Sequence, residues 1–181
     1  MPKPAPRNRR RDLLTAFAQL VNEHGVRAAT LDAVADAAQV SKGGLLYHFR
    51  DRDALVAGLC DHFTKLVEED IAEQLDSGMS APDWYLSTSA DYDSPLETAM
   101  AALIQLVPAY EATIRPVLVA ARERWFELVA DELGDRDLAT AVLLLGDGIA
   151  YNTELEGKSA PSPLVSEATR KFLSELISRA N

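Results

Sequence analysis

The sequence predicts an all-α protein in two parts, a small N-terminal three-helix domain over residues 1–50 and a larger helical bundle over 51–181. Apolar residues recur every three to four positions through most of the chain, which is the period of a helix packed on one side. No run alternates apolar and polar residues with the two-residue period of a strand. Residues that start or stop helices border the apolar runs: Thr30, Ser41 and Asp51 at starts, Gly25 and Gly134 at ends.

Composition indicates a soluble, cytoplasmic protein. The single cysteine, Cys60, excludes an intramolecular disulfide, as is usual in a reducing compartment. The N-terminus has no apolar segment of the signal-peptide kind, and no later segment reaches about 18 uncharged apolar residues. We therefore expect no membrane association.

Charge is divided unevenly along the chain. The whole chain carries −10, but residues 1–65 carry +3 and the remaining residues −13. Affinity for DNA depends on the charge near the contact surface, because salt screens charges over about 10 Å. An acidic body is therefore compatible with DNA binding by the N-terminal part, where Arg7, Arg9, Arg10 and Arg11 form a basic cluster that is either a solvated tail or an arm along the phosphates.

The first three predicted helices lie close together in the sequence. The first carries an apolar stripe from Leu13 to Val21. Thr30 caps a second short helix and Ser41 a third, which ends near Phe49. Two short helices joined by a turn of three to four residues form a helix-turn-helix, whose second helix can enter a DNA major groove.

Residues 40–55 read VSKGGLLYHFRDRDAL. This segment resembles the recognition-helix signature of the TetR family of transcriptional regulators. The resemblance is close over about the first 55 residues. It departs from the usual pattern at Leu46, where an aromatic residue is common, and at Gly44, where threonine, proline or alanine is common.

The remaining predicted helices form the body. A long helix runs over 52–75 and a short one starts near Pro82; further helices cover 96–107, 110–133, 137–155 and 164–178, with kinks at Pro108 and Pro116. The nearly uncharged run 138–149, with Leu164, Phe172 and Leu176, has more apolar surface than one small body can hide. A homodimer would bury it.

Other chemistries have little support. Gly146 and Gly148 lack the third glycine and the preceding strand of a dinucleotide site, and resemble instead an Asp-Gly that allows close helix packing in TetR-type bodies. Cys60 and His62 point to different sides of a helix and cannot share a metal. We read the many carboxylates of the body as a solvated face, and expect no enzyme activity, metal or cofactor.

The resemblance implies a homodimeric DNA-binding regulator, most commonly a repressor, that binds a near-palindromic double-stranded DNA operator and is released by a small-molecule effector. In this view Ser41 caps the recognition helix, Lys42, Gly43, Gly44 and Leu46 face the bases, and the phosphates are held by Thr30, Tyr47, His48 and Arg52.

An effector site is expected in the body, where six of the seven Trp and Tyr residues lie. Such a site suits an apolar or aromatic ligand better than a sugar or an ion. A different class of protein, a helical small-molecule binding or carrier protein without a specific operator, is the alternative. The candidate effector residues are His62, Trp84, Tyr85, Tyr92, Tyr110, Arg122, Trp125, Tyr151 and Asn152.

Overall fold

The computed structural model of the chain describes residues 8–89, 91, 94–156, 171 and 175. Within these ranges it consists of seven helices without a strand, which confirms the predicted all-α class. The predicted tail 1–6 lies outside the described residues, and so does the predicted helix 164–178 apart from residues 171 and 175. The helices are α1 (Arg9–His24), α2 (Leu31–Ala37), α3 (Lys42–His48), α4 (Arg52–Ser77), α5 (Ala81–Thr88), α6 (Pro95–Leu133) and α7 (Arg136–Glu156).

The chain forms two compact units. The first contains residues 1–68 and 93–119, and the second contains 69–92 and 120–181. The helices α4 and α6 each continue from one unit into the other. Part of α6 therefore belongs to the same unit as the N-terminal helices. The apolar periodicity of the sequence cannot reveal this, because it shows only which side of each helix is buried.

The first unit is built on the apolar stripe of α1. Leu13, Phe17 and Val21 are fully buried, as their helical spacing predicts. On α4, Gly58 leaves room for the Phe49 ring, since a Cβ at Gly58 would lie only 2.6 Å from that ring. This close approach fixes the end of α3 against α4.

The second unit packs α5 against α7. Its core includes Leu86, Val129 and Val142, which are almost completely buried. Ser80 accepts from the Asp83 N–H and so caps α5, which confirms the predicted short helix near Pro82. Asp135 accepts from the Leu138 N–H and caps α7, as predicted.

The break predicted within α6 is confirmed. The helices predicted over 96–107 and 110–133 follow one another as one element, and its backbone leaves helical geometry between them, at Tyr110, with φ −136° and ψ 34°. Pro108 explains the position of this kink, because a proline cannot donate to the carbonyl four residues earlier and its ring crowds that carbonyl. Pro116, also expected to kink the chain, lies within the helix beyond the break.

By length and composition alone, α6 is apolar enough to cross a membrane, with a mean hydropathy of 1.2 over its most apolar 18 residues. Buried helices of soluble proteins pass the same test. The exposed ion pair between Glu111 and Arg115, whose side-chain atoms lie 2.9 Å apart, opposes a membrane assignment. Charged side chains facing lipid are costly and rare.

Candidate functional site

Two side-chain caps fix the starts of α2 and α3, and one unusual backbone conformation shapes the turn between these helices. The Thr30 hydroxyl accepts from the Ala33 N–H at 3.2 Å, and the Ser41 hydroxyl accepts from the Gly44 N–H at 3.1 Å. Both predicted N-caps are therefore confirmed. Between the helices Gln39 adopts a left-handed backbone conformation with φ 56°, a position that usually favours glycine and that the sequence did not reveal.

The two sides of α3 differ sharply in exposure. Leu45 is fully buried and Phe49 is 2% exposed, whereas Tyr47 is 86% exposed and Leu46 is 40% exposed. Lys42, Gly43 and His48 are exposed as well, and Gly44 is half-buried. The Tyr47 and His48 rings meet edge to face, with centroids 5.2 Å apart. The structure thus gathers the predicted recognition residues on one open surface.

Lys42, the first residue of α3, is paired with a carboxylate of α2. Its Nζ lies 2.9 Å from Asp32 Oδ1 and 3.1 Å from Oδ2. Both side chains are exposed, so the pair is hydrated and weak and can exchange Asp32 for a phosphate. Spacing along the sequence did not reveal this contact, because it joins two helices across ten residues.

Arg52 turns inward, although the sequence analysis placed it on the DNA backbone. Its guanidinium donates to the carbonyl oxygens of Val26, at 2.6 Å, and Ala29, and lies over the Phe17 ring. These bonds tie the start of α4 to the loop that precedes α2. The position of Arg52 accordingly suits a brace for the helix-turn-helix.

Part of the basic cluster near the N-terminus also serves the fold. Arg10 stacks on the Phe49 ring at 4.9 Å and lies 3.9 Å from a carboxylate oxygen of Asp61. Arg9 and Arg11 are exposed, and Arg7 lies outside the described residues. The exposed pair remains available to phosphates.

In the second unit, two tryptophans converge on one carboxylate. The indole N–H groups of Trp84 and Trp125 each donate to Asp70, one to each oxygen, at 3.0 Å. The Tyr85 ring lies 6.0 Å from that of Trp125. The sequence analysis did not predict a role for Asp70, because it interpreted the carboxylates of the body as a solvated face. The position of Asp70 on the apolar face of α4 could have indicated that this carboxylate faces the core.

A second carboxylate completes this cluster. Asp147 accepts from the Tyr85 hydroxyl at 3.0 Å and pairs with Arg122, also at 3.0 Å. Tyr85 lies across Gly146, where a Cβ would be 2.4 Å from its ring, while a Cβ at Gly148 would meet nothing within 4 Å. The predicted close packing at this glycine pair therefore rests on Gly146.

The remaining candidate effector residues do not join the cluster. Tyr110 and His62 belong to the first unit, where Tyr110 lines an open cleft of about 620 Å³ with residues such as Arg50 and Asp53. Tyr151 is 63% exposed, and the Asn152 amide donates to the Gly148 carbonyl of its own helix. Tyr92 lies outside the described residues.

Metal and thiol chemistry find no support among the described side chains. No three of their His, Cys, Asp and Glu residues gather as a metal site requires. Burial, together with the neighbouring charge of Asp61, raises the pKa of the Cys60 thiol to about 11. A buried thiol with this pKa is protonated at neutral pH and is a poor nucleophile.

An exposed, capped recognition helix packed on a small three-helix core defines the class of a helix-turn-helix DNA-binding protein. Residues 13–59 match the model of the bacterial regulatory proteins of the tetR family. The match assigns the N-terminal helix-turn-helix of this chain to the DNA-binding domain of that family, which is the domain of a DNA-binding transcriptional regulator.

Similarity to individual proteins extends over the whole chain. The HTH-type transcriptional regulator BetI of Escherichia coli is 25% identical, with 92% of this chain and 93% of BetI covered. A TetR family member from Streptomyces coelicolor A3 superposes with a TM-score of 0.68 at 20% identity, over 95% of this chain and 97% of that one. The multidrug binding protein EbrR, solved with ethidium, gives a TM-score of 0.61 at 20% identity, over 95% and 98% of the two chains.

Proposed function

We propose that this regulator is a ligand-responsive repressor, which binds a near-palindromic operator as a homodimer and leaves it when a small-molecule effector binds. Repression is the commonest mode of the family. The observation that carries the proposal is the division of α3, with Leu45 fully buried and Tyr47 86% exposed. A helix anchored on one side and open on the other can enter a major groove without rearrangement.

On this proposal the predicted DNA-binding residues have distinct roles. The Tyr47 hydroxyl, His48 and Thr30 hold phosphates, and Ser41 combines its cap with a phosphate contact. Gly43 and Gly44 let the backbone approach the bases, and Leu46 offers an apolar contact to a thymine methyl group. Lys42 exchanges Asp32 for DNA. Arg52 acts as a brace, since its guanidinium is engaged with backbone carbonyls.

We assign residues 1–50 to DNA binding and 51–181 to effector binding and dimerisation. A stripe on α7 supports the second assignment. Leu144, Tyr151 and Leu155 are 58%, 63% and 66% exposed and follow one another on one side of the helix, opposite the buried Val142. A second copy of the chain is the partner that such a stripe fits in a homodimer.

Replacement of Leu144 by Glu tests the dimer. A charge in the stripe should shift sedimentation toward the monomer and lower operator affinity, because each monomer then holds one half-site alone. The comparable change Val119→Glu, at an apolar α6 residue that is 50% exposed, serves as the control. A wild-type chain that sediments as a monomer at micromolar concentration would contradict the proposal.

The effector site is placed in the second unit, at Trp84, Tyr85 and Trp125. Aromatic side chains with a few oriented polar groups are typical of small-molecule sites, and the similar fold of EbrR was solved with ethidium. Binding there would change operator affinity by favouring one conformation of the dimer. We place the protein in the cytoplasm, where operator and effector meet.

Genomic selection tests the function directly. Fragments of the protein's own genome are retained on the protein in the presence of excess competitor DNA, and then sequenced. Retained fragments should share a near-palindromic site, and their affinity should fall with salt at a log–log slope of about −0.9 per phosphate contacted. Fragments without a shared site, displaced fully by competitor DNA, would favour the helical carrier protein instead.

A further inference from the structure

The buried face of α4 carries two polar side chains. The face carries Phe63, Val67 and Ile71, which are 0–4% exposed. It also carries Asp70 and Gln74, which lie about one and two turns beyond Val67. Asp70 is half-buried and Gln74 is 5% exposed. A charge or an amide on a core-facing stripe costs free energy unless its bonding needs are met.

Asp70 has hydrogen-bond donors but lacks a countercharge. Its two oxygens accept from the indole N–H groups of Trp84 and Trp125, which are neutral. Within the described part of the chain, no Lys, Arg or His side chain forms an ion pair with it. Asp147 in the same unit differs, because Arg122 neutralises it at 3.0 Å. Asp70 therefore has two neutral donors and no cationic partner among the described residues.

Gln74 has an acceptor that lacks a donor. Its amide nitrogen donates to the Met79 carbonyl at 2.8 Å, which fixes the orientation of the amide. Its Oε1 is buried and has no hydrogen-bond partner among the described residues. Gln74 follows Asp70 by four residues, so the two side chains are neighbours on α4. Within the described part of the chain, this pair therefore lacks one cationic partner and one N–H or O–H donor.

We infer that Asp70 and Gln74 form the polar end of the effector site, and that the effector is an organic amine, protonated and bearing N–H groups, on an apolar or aromatic body. The ammonium supplies the countercharge of Asp70, and one of its N–H groups donates to Gln74 Oε1. The Trp84 and Trp125 rings turn their N–H edges toward this carboxylate and offer apolar surface to the aromatic body of the ligand. This inference rests on the proposed function and narrows its ligand to one chemical class.

A matched series of compounds tests this chemistry. Benzylamine, phenethylamine and 4-phenylbutylamine are each compared with the quaternary trimethylammonium analogue and with the corresponding alcohol, by titration calorimetry and by tryptophan fluorescence. At least one amine should bind tenfold more tightly than both of its analogues. The quaternary ion keeps the charge without an N–H, and the alcohol keeps a donor without the charge, so each analogue removes one of the two interactions.

Variants assign the effect to the two residues. Asp70→Asn should reduce amine affinity at least tenfold while leaving the affinity for the alcohol within twofold. Gln74→Leu should reduce the preference for the amine over its quaternary analogue. Asp76→Asn is the control, because Asp76 is an exposed carboxylate later on the same helix. Melting curves establish that each variant is folded; if Asp70→Asn is not, the wild-type compound series and Gln74→Leu still decide the question.

The outcomes separate the inference from the function on which it rests. Failure of every amine to bind, equal binding of amines and analogues, or unchanged amine affinity in Asp70→Asn would each overturn the inference, and water alone would then fill the acceptors. Operator binding is measured on the same protein preparation. Tight operator binding with failed amine binding rejects only the ligand class, whereas absence of specific operator binding rejects the proposed function itself.

Discussion

Phe49 and Tyr85 each lie across a glycine of a neighbouring helix, but the two contacts differ in their polar content. Phe49 packs over Gly58, is 2% exposed and has no polar group. Tyr85 packs over Gly146, is half-buried, and bonds to Asp147 through its hydroxyl. An aromatic ring packed on a glycine therefore has a different role in each unit. In the first unit it holds the end of α3 rigidly against α4. In the second unit it holds Tyr85 within a polar, aromatic cluster.

Gly58→Ala should have the largest effect on stability. The new methyl group would lie 2.6 Å from the Phe49 ring and 3.3 Å from Leu14, and both residues are only 2% exposed. Overpacking of this kind costs about 1–3 kcal/mol. Denaturant unfolding should show the loss, and operator affinity should fall with it because α3 loses its support. An unchanged free energy of unfolding would show that the contact is loose.

Gly146→Ala should destabilise less and act on the cluster. The methyl group would meet the Tyr85 ring at 2.4 Å, but this half-buried ring can turn outward and give up its bond to Asp147. We expect a cost of about 1 kcal/mol and an altered fluorescence of Trp125, whose ring is Tyr85's neighbour.

Gly148→Ala is the matched control for this change. A Cβ there meets nothing within 4 Å, so the substitution should stabilise α7 by up to about 1 kcal/mol through helix propensity. Equal behaviour of the two alanine variants would contradict the packing assigned to Gly146.

Asp32→Asn should have the smallest effect, and on DNA affinity rather than stability. The change removes the exposed partner of Lys42 and one negative charge near the phosphates. Exposed pairs are worth about 0.2–1 kcal/mol, so affinity for all DNA should rise only a few fold. Anisotropy titrations with operator DNA and with random DNA measure this change in affinity. A fall in affinity would mean that Asp32 positions Lys42 instead of competing with the phosphates.

The two units also differ in how much the sequence revealed. Helical spacing and N-caps were sufficient for the first unit because its interactions are local: Thr30 and Ser41 each bond to a backbone N–H three residues later. The cluster of the second unit depends on contacts across 14 and 55 residues, from Asp70 to Trp84 and Trp125. Their partners cannot be read from spacing along one helix.

Arg52 and Tyr110 illustrate the same limit within the first unit. The recognition-helix pattern identified Arg52 but could not show that its guanidinium faces the Val26 and Ala29 carbonyls. Composition identified Tyr110 as a candidate effector residue, while its backbone forms the kink in α6. Residue type and position were predictable in both cases, and side-chain direction was not.

The central claim is that α3 combines a buried support with an open surface that binds DNA, and Tyr47→Phe tests it most directly. Tyr47 is 86% exposed, so loss of its hydroxyl should leave the melting temperature unchanged. Operator affinity should fall by about 1.5–3 kcal/mol per half-site, as expected for a hydrogen bond to a charged phosphate. Tyr110→Phe, which removes a hydroxyl from α6, outside the helix-turn-helix, is the control. A lower melting temperature with operator affinity intact would contradict the account, since Tyr47 would then support the fold and not bind DNA.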